Sequence, residues 1–205
     1  MGSSKKIAPV YKKGKYTYLK QDTVTVNGQI GFGIECYDTE TKSVNKNAVF
    51  SIELQSGGKR IYYQEMETFT FENSRYVNTH IDYESKQKHG TKIQRCFVTT
   101  NNKSGIYKDV INSGIINFTD DSVHWMKFIV KDFVGNTTEL MLKVKSTSQK
   151  WQGEHPSMVS SLYNCLEEIS FDNEYKNHPM DLKVKVPAGA LYENSYFNCS
   201  KNGSV

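Results

Sequence analysis

Apolar and polar side chains alternate with a period of two along much of the chain. Ile30, Phe32, Ile34 and Cys36 fall on one face of an extended segment, and Gly31, Gly33, Glu35 and Tyr37 on the other. This pattern predicts a half-buried strand. Before it, Thr23-Val24-Thr25-Val26 runs into Asn27-Gly28, a pair that marks either a hairpin or a tight bend. Phe50, Ile52 and Leu54 then alternate with Ser51, Glu53 and Gln55, followed by Gly57-Gly58 and Ile61-Tyr62-Tyr63. Glycine accepts the positive φ of a two-residue turn at no steric cost, so strands are predicted over about 48–55 and 59–66. The third alternation is the sharpest. Met126, Phe128 and Val130 point one way between His124 and Asp132, and Leu140, Leu142 and Val144 continue the pattern beyond Asp132-Phe133-Val134-Gly135-Asn136. Asp, Gly and Asn are turn formers, and the segment reads as the last hairpin of a β-sandwich.

Between 67 and 118 the alternation weakens. Residues 71–80 read as one or two helical turns capped by Asn73 or Ser74. Lys92–Val98 reads as a further strand, and Ser104–Phe118 as loop, short helix and short strand. The whole is a loop-helix insertion, and long insertions in sandwiches often carry function. Phe69, Phe71, Tyr76, Val77 and Ile81 supply apolar groups to dock it onto the sandwich edge. Tyr76 and Ile81 are expected to be mostly buried and Arg75 to hold a salt bridge or a backbone contact. Residues 147–156 lack periodicity and are rich in turn formers, which marks a linker. Beyond it, Glu167–Phe171, Asp181–Val186 and Tyr192–Cys199 look like strands of a second unit too small for a comfortable core of its own. The expectation is a mainly β protein: an immunoglobulin-like β-sandwich over 16–146, the linker, and a second, incomplete β unit over 157–205.

Composition narrows the class. Of 205 residues 12% are aromatic, including 13 Tyr, with only 4 Pro, which excludes a disordered chain. No apolar run approaches the roughly 18 residues of a membrane helix. Charges of both signs are interspersed and sum to +4. The basic cluster of Lys5, Lys6, Lys12, Lys13 and Lys15 reads as a solvated tail, because no nucleic-acid-reading element follows it. No signal peptide is expected from Met1-Gly2-Ser3-Ser4-Lys5-Lys6, which lacks an apolar stretch behind it.

Candidate chemistry is sparse. Cys36, Cys96, Cys165 and Cys199 are far apart in sequence and make no zinc-ribbon spacing. Cys36 and Cys96 sit in apolar strand patterns, where a free thiol acts as a small hydrophobe. His80-x-Asp82 would share a face on a strand and, with His89, offers three metal donors. The preferred reading has His80 and Asp82 satisfying backbone groups, so no metal or other cofactor is expected. Asp120-Asp121 reads as a turn rather than a calcium site. No Gly-x-Ser-x-Gly elbow is present, and Gly31-x-Gly33 lies inside a strand rather than at a phosphate loop. Glu35, Glu53, Glu65 and Glu67 occupy outward or terminal strand positions, which disfavours paired-carboxylate catalysis. Tyr62, Tyr76, Tyr83, Trp125 and Trp151 are candidates for a sugar-stacking platform.

Gly31-Phe32-Gly33-Ile34-Glu35-Cys36-Tyr37-Asp38, Tyr76-Val77-Asn78-Thr79-His80-Ile81-Asp82-Tyr83, Gln94-Arg95-Cys96-Phe97, the Asp132…Gly135-Asn136 hairpin and Val186-Pro187-Ala188-Gly189-Ala190-Leu191-Tyr192 together carry a resemblance. They resemble the non-catalytic β-sandwich region that follows the peptidase domain in lysostaphin-type (LytM-like) zinc murein endopeptidases of Gram-negative bacteria. The likeness spreads over most of residues 20–200. That family's zinc is held by His-x-x-x-Asp and His-x-His, and none of His80, His89, His124, His155 or His178 begins either motif. The resemblance therefore implies a non-catalytic accessory module in the periplasm or at the cell surface. It would position or regulate a peptidase domain or hold another envelope protein, in contact with peptidoglycan or glycan and not with nucleic acid. Arg75, Tyr76, His80, Asp82 and Tyr83 are the candidate partner-binding residues. The alternative is a free-standing, adhesin-like module that binds cell-surface glycan or protein.

Overall fold

The computed structural model describes residues 23–39, 45–100 and 102–148 together with short strands outside them. The protein is mainly β. The chain divides into two compact units, Met1–Val98 with Lys103–Gln152, and Thr99–Asn102 with Gly153–Val205. In the first unit, β1 (Val10–Lys12) pairs with β2 (Lys15–Thr17). There follow β3 (Val24–Val26), β4 (Gly28–Ile30), β5 (Gly33–Glu35), β6 (Ser51–Ser56) and β7 (Lys59–Glu65). The helices α1 (Val77–His80) and α2 (Tyr83–His89) lead to β8 (Ile93–Arg95), β9 (Tyr107–Val110), β10 (Ile116–Phe118), β11 (Val123–Lys131) and β12 (Thr137–Ser146). In the second unit, β13 (Ser161–Leu162) pairs with β16 (Ser195–Tyr196), and β14 (Glu167–Ser170) with β15 (Lys183–Val186).

Six strands of the first unit form one sheet in the order β3-β12-β11-β6-β7-β9. All its neighbours are antiparallel except β3, which runs parallel to β12. The β6–β7 hairpin closes through Gly57 and Gly58 at φ +56° and +82°, the two left-handed residues that a type I′ turn requires. Asp132 secures the β11–β12 turn, its carboxylate accepting from the Asn136 backbone N–H at 2.8 Å. Ile52, Leu54, Tyr62, Met126, Phe128, Leu140, Leu142 and Val144 point to one side of this sheet and are buried. The core lies between that side and two small sheets, β4 with β10 and β5 with β8. Phe32 bridges the layers, edge-on to Phe118 at 6.1 Å and to Phe128 at 6.4 Å. Phe32 and Ile34 thus face the core as their spacing predicts.

Several expectations are corrected. The run 30–37 is two strands, not one, although burial alternates along it. β4 pairs with β10 and β5 with β8. The break falls at Gly31-Phe32, where a side chain on Gly31 would run into the Phe97 ring. Asn27-Gly28 is a bend, since β3 and β4 join different sheets. The strand expected over Lys92–Val98 spans three residues. A helical turn does form at Ser74–Tyr76, but neither Asn73 nor Ser74 caps it with a side chain. Helix α2, with no buried residue, has no apolar stripe to mark it in the sequence. Asp82 starts it by accepting from the Ser85 N–H at 2.7 Å, and Gly90 at φ +67° ends it, the usual N-cap and left-handed C-terminal pairing. Phe69 and Phe71 do not dock the insertion, being exposed, and Ile81 is half-buried.

Register and core predict a contrast along β11. Truncating Phe128 to Ala should cost roughly 3–5 kcal/mol, as for other buried Phe residues. Lys127, on the opposite face and paired with Glu139 at 2.6 Å, should cost about 0.5 kcal/mol when changed to Ala. Equal losses on urea unfolding would contradict this register.

Candidate functional site

The five candidate partner-binding residues lie along the path from the first helical turn into α2, and the structure splits them by burial. Tyr76 and His80 are buried, Asp82 is half-buried, and Arg75 and Tyr83 are exposed. The Arg75 guanidinium lies over the Tyr76 ring, 4.9 Å from its centre, and a guanidinium nitrogen lies 3.3 Å from the Tyr76 hydroxyl. His80 and Asp82 do not share a strand face. His80 ends α1 and Asp82 precedes α2, with Ile81 between them bridging to Gln94. Asp82 also takes Arg95 at 3.4 Å. Its partial burial opposes ionisation, yet the Ser85 and Arg95 bonds hold its carboxyl below the usual range. The expectation that Asp82 satisfies backbone is met; His80 instead bonds a side chain.

That side chain is Gln94, the hub of a buried polar chain. His80 Nε2 lies 3.1 Å from Gln94 Oε1, so Nε2 carries the proton and donates. Gln64 Nε2 donates to the same oxygen at 3.5 Å, and the Tyr62 hydroxyl donates to Gln64 Oε1 at 2.7 Å. The Gln94 amide nitrogen donates to the Cys36 carbonyl at 3.3 Å and approaches its Sγ at 3.4 Å. The Tyr107 ring packs edge-on against both His80 and Tyr62. Period-two reading places Tyr62 and Gln64 inward together, but it gives no signal that Gln94 and His80 would meet them. Burial keeps the His80 imidazole neutral, with nearby Arg95 adding to the effect, so its pKa lies below the ordinary value. Burial likewise pushes the Cys36 thiol up to about 12 and raises that of Cys96. Both are free thiols with little thiolate for nucleophilic work.

Asp120, Ser122 and His124 form a second cluster that the sequence did not disclose. Ser122 Oγ donates to Asp120 Oδ2 at 2.7 Å, and His124 Nε2 lies 2.9 Å from Asp120 Oδ1 and 3.0 Å from Ser122 Oγ. A nucleophile relay needs the serine and the carboxylate on opposite ring nitrogens. Here both meet Nε2, and the hydroxyl is turned toward the carboxylate. The cluster holds the turn entering β11, where Asp121 sits at φ +55° and accepts from the Ser148 N–H at 2.7 Å. The Ser122 and His124 bonds hold the Asp120 carboxyl well below its usual range.

No group of three metal-donor side chains occurs among the described residues. His89 is exposed at the end of α2. Of the candidate sugar platform, Tyr62 and Tyr76 are buried, Tyr83 and Trp125 are exposed, and Trp151 lies outside the described residues, as do Cys165, Cys199, His155 and His178. No helix among the described residues is long and apolar enough to cross a membrane.

Two outcomes are expected. The unfolded chain takes up the His80 proton before the folded one does. That contribution to stability is complete above the ordinary imidazole value of 6.5 and is lost as pH falls below it. Urea midpoints measured between about pH 7.5 and about pH 5.5 should fall, and fall less in His80→Gln, whose amide can still donate to Gln94. Amide exchange across 74–89 should be slowest at the buried Tyr76–His80 segment and faster through α2, which has no buried residue. Uniformly fast exchange would contradict the packing described.

No protein-family model, no curated protein and no solved structure matches this chain.

Proposed function

We propose that this chain is a non-catalytic, immunoglobulin-like accessory module of a cell-envelope murein peptidase, docking the peptidase domain or another envelope protein through one end of its large sheet. The strand order β12-β11-β6-β7-β9 supports the immunoglobulin-like reading, because variable-type domains extend the same kind of sheet by two further strands beyond its three central ones. The resemblance carried by Tyr76–Tyr83 and the other segments supports the link to murein peptidases.

The observation that carries the docking role is an exposed apolar loop end. Phe133 and Val134, at the β11–β12 turn, are 84% and 82% exposed. Phe133 stands edge-on to Phe50 at 5.6 Å, and the Phe50 carbonyl accepts from the Met66 N–H at 2.8 Å. The chain therefore leaves β7 at this same end, and Phe69 and Phe71 follow within five residues, Phe71 fully exposed. Large apolar side chains exposed at one end of a sheet are candidates for an interaction surface. The polar candidates Arg75 and Tyr83 border the segment that continues from it.

The test combines the purified chain with a lysostaphin-type endopeptidase domain and cross-linked peptidoglycan. The chain alone should release no peptide, with or without zinc. It should sediment as a complex with the peptidase domain, and Phe71→Ser with Phe133→Ser should abolish the complex. Both residues are exposed, so stability should change by no more than about 0.5 kcal/mol each. Metal-dependent peptide release by the chain alone would overturn the non-catalytic reading, and failure to associate would overturn docking to the peptidase domain.

A further inference from the structure

The side of the six-stranded sheet that faces away from the core has a chemistry of its own. Outward positions of β11 and β12 carry Lys127, Lys131, Lys143 and Lys145 against a single acid, Glu139. Lys127 is taken up by Glu139 at 2.6 Å. Among them stands Trp125, 50% exposed. Register places Lys143 directly across from Trp125 and Lys145 across from Val123. The Lys143 ammonium lies 5.8 Å from the indole centre, within the range of a cation–π contact, and makes no ion pair among the described residues. On the other edge of β11, the Trp125 carbonyl accepts from the Gly57 N–H at 3.1 Å. Gly57 and Gly58 carry no side chains there, and the space a Cβ would enter is open at both.

We infer that this face is a binding site for an anionic sugar, with the exposed Trp125 indole stacking on the apolar C–H face of a pyranose ring and Lys143 receiving its carboxylate. An indole offers a broad apolar plate with a polar tip, suited to a ligand that is apolar on one face and hydroxylated at its rim. Lys143 and Lys145 supply charge complementarity at the Trp125 end of the face, the outward acids Glu53 and Glu65 of β6 and β7 standing at the other end near Lys131. Single-stranded nucleic acid fits less well, because stacking along a strand uses successive aromatic rings, no second aromatic occupies an outward position of β11 or β12, and Tyr63 on β7 stands two strands away with the Arg60 guanidinium over its ring. The site goes beyond the docking reading and does not depend on it, since Phe71 and Phe133 take no part.

Isothermal titration of the full chain with a short galacturonate oligomer, a neutral malto-oligosaccharide of equal length, oligothymidylate and phosphatidylserine vesicles tests it. The galacturonate should bind saturably and the neutral sugar should not. Trp125→Ala should weaken galacturonate binding by about tenfold, the loss of one aromatic stack. Lys143→Gln should weaken it and reduce its sensitivity to salt. Urea unfolding checks that Trp125→Ala is folded; if it is not, Lys143→Gln decides. Phe71→Ser with Phe133→Ser should leave sugar binding unchanged, so the two proposals fail separately. Absence of galacturonate binding, or binding indifferent to both substitutions, would overturn the inference. So would tighter binding of oligothymidylate or vesicles through Trp125 and Lys143.

Discussion

The register of β11 is the constraint on which the first unit rests. This strand is bonded along both edges, to β12 over its whole length and to β6 over Met126–Lys131. Phe128 therefore stands in one row with Leu140 on one side and Leu54 on the other, and Met126 and Val130 stand beside Leu142 and Ile52. A slip of one residue would turn all of these outward and bring Trp125, Lys127 and Ile129 into the core. The same register places Trp125 beside Lys143 and sends the chain into the Phe133 turn next to Phe50. Core, sheet face and apolar end are set by one alignment.

The buried polar chain does different work. Helix α1 has four residues and α2 has no buried residue, so neither has the apolar face that would fix its position unaided. Tyr76 supplies some burial, and the bond from His80 to Gln94 supplies direction. An apolar contact tolerates rotation and sliding; a hydrogen bond from an interior imidazole to an amide oxygen does not. Linking helix end, β8, β7 and the residue after β5 through Gln94, Gln64 and Cys36 pins the insertion at one point. Asp82, holding both Ser85 and Arg95, pins it again two residues later.

The parts legible in the sequence were those where one physical signal acted alone. The β6–β7 and β11–β12 hairpins follow from strict alternation and from glycines at positions of positive φ. Reading failed where two demands competed. Residues 30–37 alternate as one strand should, yet the chain changes partners at Gly31, beside which the Phe97 ring leaves no room for a side chain. Helix α2 has no apolar stripe, and only its ends, Asp82 and Gly90, announced it. Of the candidate site, the turn role of Asp120-Asp121 was readable. The pairing of His80 with Gln94, fourteen residues on, and the shared use of His124 Nε2 by Asp120 and Ser122 depend on tertiary folding, which local pattern does not encode.

The large sheet is open, and its β9 edge is poorly suited to growing. β3 offers three residues and pairs only with Val144–Ser146, so β12 itself forms the edge over Thr137–Lys143. β9 offers four, carries Lys108, and joins β7 across a register shift at Tyr63/Gln64. Short, charged and irregular edges discourage the addition of a further strand from another chain. Recognition by backbone pairing, in which a partner's extended segment extends the sheet, is thereby disfavoured at the β9 side. A partner met through side chains on the broad face or at the loop end is selected by residues that can change without disturbing the ladder beneath them.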